Sequence, residues 1–429
     1  MGPKTDVTEA LPIRALDLVL TSKCNLRCDY CFESVGGQRS MSWEVARAAL
    51  DAALRSKAPE VSVVFFGGEP SLEFGTIRRA VAYAERQPSP PRLRFSLVTN
   101  GTILGSEEIG FLADNDVATQ ISFDGVREAQ ARRGAGTFDR LDALLTRVQE
   151  DHAAFFVSSV SVAMTVSPRT IPYFARSVSY LIERGVRDIA IAADMNSDPE
   201  WADPMIKALD RAFASVFSIA KEHYRRTGRS PVSLFRNRGP LGEPAPGAVA
   251  MCGIVRGGHV AVDVDGTLAC CGAFAPSIQS SSTTALAASH ACLAGGNVRD
   301  PDVPAAVTAI HRRAIAHGIF GDKREKHSSR RRCGTCRYLR TCVVCPRAIA
   351  LIPRNEDPRR LPSFPCAFNR VRMKYWERFP VARPLSAGSR RRRKARLLAE
   401  LARFAESASG CVPRGQCRPE GTRPDTIRP

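Results

Sequence analysis

Apolar positions in the first half of the chain fall into short runs separated by stretches whose apolar residues recur three and four apart. The runs Leu16–Leu20, Val61–Phe66, Leu93–Val98, Ala118–Phe123, Phe155–Val166 and Asp188–Ala193 predict strands. Between them, Trp43–Arg55, Ile77–Arg86, Phe138–Glu150 and Ile171–Arg184 predict amphipathic helices, and a longer helix is expected around Pro204–Arg226. Six β-α repeats over roughly 200 residues predict a parallel α/β sheet, either a partial barrel or a doubly wound fold. In both, chemistry collects at the C-terminal ends of the strands. From Ser230 the periodicity fades while Pro, Gly and Cys rise, which predicts a second domain to about Pro380 with few apolar runs of its own. Within it, HVAVDVDGTLACCG (His259–Gly272) predicts a hairpin turning at Asp265-Gly266.

Composition narrows the class. A hydrophobic content of 44% supports a globular body, and the N-terminal residues have neither the basic patch nor the apolar region of a signal peptide, so a cytoplasmic location is expected. Fourteen cysteines in a reducing compartment point to metal ligation rather than disulfides. The net charge is +19, of which +8 lies in the last 49 residues, with 12 Lys and Arg against 4 Asp and Glu. That tail, which contains RRRRKAR at Arg390–Arg396, reads as a basic, disordered extension. It is the one feature that would suggest RNA or an acidic peptide as a partner.

The chemistry is concentrated in TSKCNLRCDYCFE (Thr21–Glu33). Cys24, Cys28 and Cys31 follow the first strand in a C-x3-C-x2-C spacing. Three thiolates on one loop can hold one face of an iron–sulfur cube and leave its fourth iron open. A structural zinc site, the alternative, usually takes four ligands in two well-separated pairs. Further along, FFGGEP (Phe65–Pro70), LVTNG (Leu97–Gly101) and ISFDG (Ile121–Gly125) sit at the ends of the second, third and fourth strands. Taken singly, each is ordinary turn chemistry.

Together these motifs resemble the radical S-adenosylmethionine (radical SAM) superfamily, with Tyr30 as the aromatic before the last cysteine. The resemblance implies a partial (β/α)6 TIM-like barrel. It implies a [4Fe-4S] cluster on Cys24, Cys28 and Cys31 whose fourth iron binds SAM, and reductive SAM cleavage to a 5′-deoxyadenosyl radical that takes hydrogen from substrate. Gly67, Gly68, Glu69 and Pro70 would meet the SAM amino group, the glycines allowing close approach, while Asn100, Ser122 and Asp124 would lie at the neighbouring strand ends. Arg132 or Arg133, in QARRGAGTF, would meet the SAM carboxylate or stand as an exposed arginine.

The second half resembles the SPASM extension, a C-terminal cysteine-rich domain that holds two auxiliary [4Fe-4S] clusters. By order, Cys252, Cys271 and Cys345 would hold the first, and Cys333, Cys336, Cys342 and Cys366 the second. Two residues, rather than the usual three, separate Cys342 from Cys345, and a zinc ribbon is the other reading of the tight group. Cys270 would substitute as ligand or complete the first cluster. Cys292, Cys411 and Cys417 match no motif.

The domains expected are a lead-in at 1–13, the barrel at 14–228, the SPASM domain at 229–380 and the tail at 381–429. SPASM enzymes mostly modify peptides or proteins, so the resemblance implies a peptide maturase that removes hydrogen from an unactivated carbon. Its partners would be a peptide or protein substrate and an electron donor such as flavodoxin or ferredoxin, with neither membrane nor nucleic acid expected. With about 14 residues before the first strand, recognition is expected in the main body, the tail or another protein. Two alternatives are an RNA-modifying radical SAM enzyme and the anaerobic sulfatase-maturing type. In the latter, an aspartate that acts as base follows the cysteine corresponding to Cys271; here that position is Gly272.

Overall fold

Burial along the strands decides the architecture. In β5 (Val160–Val166), Val160, Val162, Met164 and Val166 are buried while Ser161, Ala163 and Thr165 are only half-buried. In β2 (Glu60–Gly67), Val61, Val63 and Phe65 are buried and Val64 and Phe66 half-buried. Successive side chains point to opposite faces, so one face packs under helices and the other lines the inside of a curved sheet. The computed structural model describes residues 11–33, 38–87, 91–196, 201–202, 204–236, 248–250, 252–279, 290–329, 331–352 and 355–380. The basic tail from 381, with Cys411 and Cys417, lies outside the described residues. No helix among them is long and apolar enough to cross a membrane.

The remaining barrel strands are β1 (Ala15–Thr21), β3 (Arg92–Thr99), β4 (Ala118–Ser122) and β6 (Ile189–Ala193), and β1 to β6 pair in parallel in chain order. The helices over the outer face are α1 (Trp43–Leu54), α2 (Phe74–Glu85), α3 (Ser106–Asp114), α4 (Arg127–Gln130), α5 (Thr137–Asp151), α6 (Ala153–Ser159), α7 (Phe174–Glu183) and α8 (Met205–Thr227). In α1, Ser42 caps the first turn by accepting from Val45 N, and Val45, Ala46, Ala49, Leu50 and Ala53 form the buried stripe. This is the partial TIM-like barrel expected.

One expectation is corrected. Phe155–Ser159, read as part of a strand, is the helix α6, and β5 begins only at Val160. Phe155 and Phe156 are buried against the main core. Tertiary packing therefore overrides the β preference of two consecutive aromatics.

The hairpin is present. β7 (His259–Val262) runs parallel to β1, from Ala15↔His259 to Leu18↔Val262, and turns back into β8 (Thr267–Ala269) through Gly266 at φ 91°. A third antiparallel strand, β9 (Ala294–Asn297), completes the sheet order β6-β5-β4-β3-β2-β1-β7-β8-β9. The cysteine-rich part therefore grows from the barrel sheet itself. It is also richer in core than the sequence suggested. The Ser363–Trp376 helix packs on α8 through Phe368 and Phe213, ring centroids 4.9 Å apart, and Phe274, Phe320, Ile349 and Phe364 join the same buried cluster. The chain to Val381 forms one compact unit.

Candidate active site and cysteine clusters

At the C-terminal ends of β1 to β6 a cavity of about 290 Å3 is lined by Cys24, Cys28 and Cys31 together with Tyr30, Glu33, Gly67, Gly68, Glu69, Asn100, Ser122, Arg133 and Asp194. Residues spread over about 170 positions of sequence meet there because each strand delivers its last residues to the same rim.

Two buried carboxylates fasten that rim. Glu69, 1% exposed, accepts from Thr99 Oγ1 at 2.7 Å, Asn100 N at 2.6 Å and Ser71 N at 3.0 Å. It ties the β2 loop to the end of β3. Asp124, also 1% exposed, accepts from Arg133 Nε at 3.0 Å and Nη2 at 2.9 Å, from Thr165 N at 2.8 Å and from the Tyr30 hydroxyl. Through Tyr30 it clamps the cysteine loop to β4 and β5. Outside this clamp, Arg132 Nε reaches Asp29 at 2.8 Å and its Nη1 reaches Ser167 Oγ at 2.6 Å.

The glycines act first on the chain itself. A Cβ on Gly67 (φ 130°) would lie 2.3 Å from Thr21 O, and one on Gly68 2.3 Å from Lys23 O. Their absent side chains let the β2 loop run against the start of the cysteine loop, where Gly68 N donates to Thr21 O at 2.9 Å and Glu69 N to Lys23 O at 2.8 Å.

Partial burial raises each of the triad thiols above its ordinary value. Burial pushes Cys28 up to about 11, with Arg133 pulling the other way, and pushes Cys31 up to about 12, with the Glu33 charge adding to it. Cys24 is raised by burial as well. Three half-buried thiols around one cavity, none in a disulfide, are a donor set that a positive centre would help to ionise. That is the chemistry of iron–sulfur ligation, and the residues fit such a cluster.

Of the cofactor contacts expected, Tyr30, Gly67, Gly68, Glu69, Asn100, Ser122 and Arg133 line the cavity; Pro70, Asp124 and Arg132 stand behind it. Sequence reading missed Glu33, Asp194 and a pair on the inner face. Asp17 of β1 accepts from Gly272 N at 2.9 Å and meets His259 Nε2 at 2.9 Å. Burial pulls the His259 imidazole down, but its hydrogen bond to Asp17 and that group's charge raise it on balance. A lone acid inside ALDLVL was the available signal. Asp194 follows β6, where the strand-end rule would have found it.

Among the remaining cysteines, two groups lie within electrostatic reach of one another. Cys252 feels the charges of Cys345 and Cys271, and Cys333 feels those of Cys366, Cys342 and Cys336. Burial pushes Cys252 and Cys333 up to about 12 and Cys342 and Cys345 up to about 11. Cys271 is raised by the Cys270 thiol beside it and then by burial. Cys292 is exposed.

Residues 18–164 match the model of the radical SAM superfamily. The chain carries a radical SAM domain. The radical SAM cyclopropyl synthase TigE of Paramaledivibacter caminithermalis is 25% identical over 204 residues, 43% of this chain and 42% of that protein. A cysteine-type anaerobic sulfatase-maturating enzyme of Clostridium perfringens is 30% identical over 126 residues, 27% of this chain and 34% of that protein. The match thus spans less than half the length of these two relatives. Among solved structures, native anSMEcpe with bound AdoMet and Cp18Cys peptide superposes with a TM-score of 0.63 at 16% identity, covering 94% of this chain and 100% of that one. Streptococcus suis SuiB bound to precursor peptide SuiA gives 0.51 at 14% identity, covering 83% and 76%. These likenesses extend the shared fold past the radical SAM domain into the cysteine-rich region.

Proposed function

We propose that this protein is a radical SAM/SPASM enzyme that takes hydrogen from a peptide or protein substrate, as in the maturation of a ribosomally made peptide. The observation that carries it is the cavity itself, where three thiols of one loop and the Gly67-Gly68-Glu69 segment share one wall at the mouth of an open-lined barrel. A cluster bound by Cys24, Cys28 and Cys31 would supply the electron that cleaves SAM. Tyr30, Asp124 and Arg133 hold the thiols in place, Glu69 holds the β2 loop, and Asn100 and Ser122 offer polar contacts to the cofactor. The half-buried inner face, from Phe66 to Thr165, is the space left for substrate. We assign 14–228 to the barrel, 229–380 to the SPASM domain and two auxiliary clusters to the two cysteine sets, with flavodoxin or ferredoxin as donor and the cytoplasm as location.

SuiB by its bound precursor peptide SuiA, and anSMEcpe by its bound Cp18Cys peptide, support a peptide substrate. The sulfatase-maturing reading is weakened by Gly272. A Cβ there would lie 2.8 Å from the Phe66 ring and 3.3 Å from the Asp17 carboxylate, so an aspartate would have to displace the Phe66 ring and would bring a second carboxylate up to Asp17. The test is co-expression with a candidate peptide whose carbon-bound hydrogens are deuterated. Deuterium in the 5′-deoxyadenosine and a mass change in the peptide support the reading. SAM cleavage with no transfer from any peptide or protein refutes it.

A further inference from the structure

Among the described residues, the cysteine-rich region buries two cations with no carboxylate paired to them. Arg347 is 3% and Lys323 2% exposed, and neither pairs with a carboxylate among the described residues. A buried charge with no opposite charge costs several kcal/mol, which a fold tolerates only if an anion is supplied by other means. Both stand where thiolates would be that anion.

Arg347 lies two residues past Cys345, at the start of the short Arg347–Ala350 helix, and its guanidinium sits 5.9 Å from the Phe274 ring centroid. Phe274 is three residues past Cys271. The side chain is thus held between two of the three segments that supply the first cysteine set. Its Nε is buried with no hydrogen-bond partner among the described residues.

Lys323 belongs to the other set. Its Nζ donates to Leu339 O at 2.7 Å and to Cys342 O, both within the loop that runs from Cys333 to Cys345. The ammonium is therefore enclosed by the loop carrying Cys336 and Cys342. Consistent with this placement, burial lowers the Lys323 ammonium while charge on Cys342, Cys333 and Cys336 acts to restore it.

We propose that Arg347 and Lys323 are the counter-charges of the two auxiliary clusters, Arg347 for the cluster on Cys252, Cys271 and Cys345 and Lys323 for the cluster on Cys333, Cys336, Cys342 and Cys366. Each raises the reduction potential of its own cluster. The physical reason is simple: every thiolate ligand adds a negative charge, and an electron is added more easily where a fixed cation offsets it. Arg347 also keeps a buried N–H without a partner among the described residues, and a hydrogen bond from it to a cluster sulfur would stabilise the reduced form further. Both are positioning residues, since neither is a ligand.

The inference rests on the auxiliary-cluster reading, and one experiment separates the two. Full-length protein, reconstituted anaerobically, is assayed for iron and titrated potentiometrically with EPR detection, alongside Arg347→Gln, Arg347→Lys and Lys323→Gln. About twelve irons are expected in the parent protein. Arg347→Gln should shift the reduced-to-oxidised ratio of one cluster at least tenfold, about 59 mV lower for one electron. Lys323→Gln should shift a different cluster, and Arg347→Lys should recover most of the lost potential. Loss of one cluster in Arg347→Gln, with recovery in Arg347→Lys, also supports the proposal. Twelve irons with unchanged potentials, or equal loss of iron in both Arg347 variants, overturns it alone. About four irons in the parent protein overturns it together with the reading it rests on.

Discussion

Asp124→Asn tests the clamp behind the cysteine triad. The side chains of Asp124 and Arg133 are 1% and 9% exposed, so removing the carboxylate charge leaves a guanidinium buried without its partner. Breaking one side of such a pair costs roughly 3 to 5 kcal/mol. Asparagine keeps one acceptor oxygen, which places the loss at the lower end, about 3 kcal/mol. The Tyr30 hydroxyl loses its charged acceptor in the same step, which weakens the hold of β4 and β5 on the loop from Cys24 to Cys31 and leaves Arg132 with Asp29 as its main remaining tie. Arg133→Met in the same chain removes the orphaned cation, and the double variant should recover at least about 1 kcal/mol relative to the sum of the single losses. Urea unfolding of the iron-free, reduced protein, followed by tryptophan fluorescence, measures these differences, and iron content after reconstitution reports on the loop. A single Asp124→Asn loss below about 1 kcal/mol, or strict additivity in the double variant, refutes the argument that this ion pair holds the triad.

Two further outcomes follow from the geometry. Gly67→Ala puts a Cβ against Thr21 O at a positive φ, so it should cost about 2 to 4 kcal/mol, more than Gly68→Ala, where only the clash applies; thermal unfolding checks the order. Burial pushes Asp194 up to about 6, the Asn196 N–H opposing it. Its folded value lies above its unfolded one, so the stability it contributes is complete below about 4 and is lost as pH rises through about 6. Asp194→Asn should remove that part of the fall, and an unchanged pH profile of urea midpoints would contradict the assignment.

Much of the fold was legible because period-two burial is written into the strands. Val61, Val63 and Phe65 against Ser62 and Val64 name the covered face directly. Phe155-Phe156 misled because consecutive aromatics suit a strand locally, and only the core beyond them makes a helix. The Ser106–Asp114 helix was not anticipated: at nine residues it has too few turns to show a period. In the site, local spacing revealed Cys24, Cys28 and Cys31 and the strand-end motifs. Glu69 and Asp124 were named for the cofactor, and their carboxylates also accept from Thr99 and Asn100 and from Tyr30 and Arg133, partners that only the fold brings together. Asp17 with His259, and Lys323 with its carbonyls, stayed hidden. Those partners are brought together by pairing of β1 with β7 and by loop packing, which no local spacing records.

The central claim is that Cys24, Cys28 and Cys31 hold the cluster that cleaves SAM. It is tested most directly by measuring 5′-deoxyadenosine formed from SAM under dithionite, comparing reconstituted protein with the variant in which all three cysteines are alanine. The account predicts 5′-deoxyadenosine from the parent protein, none above background from the variant, and about four fewer irons in the variant. Reductive cleavage of SAM by the triple variant would contradict it.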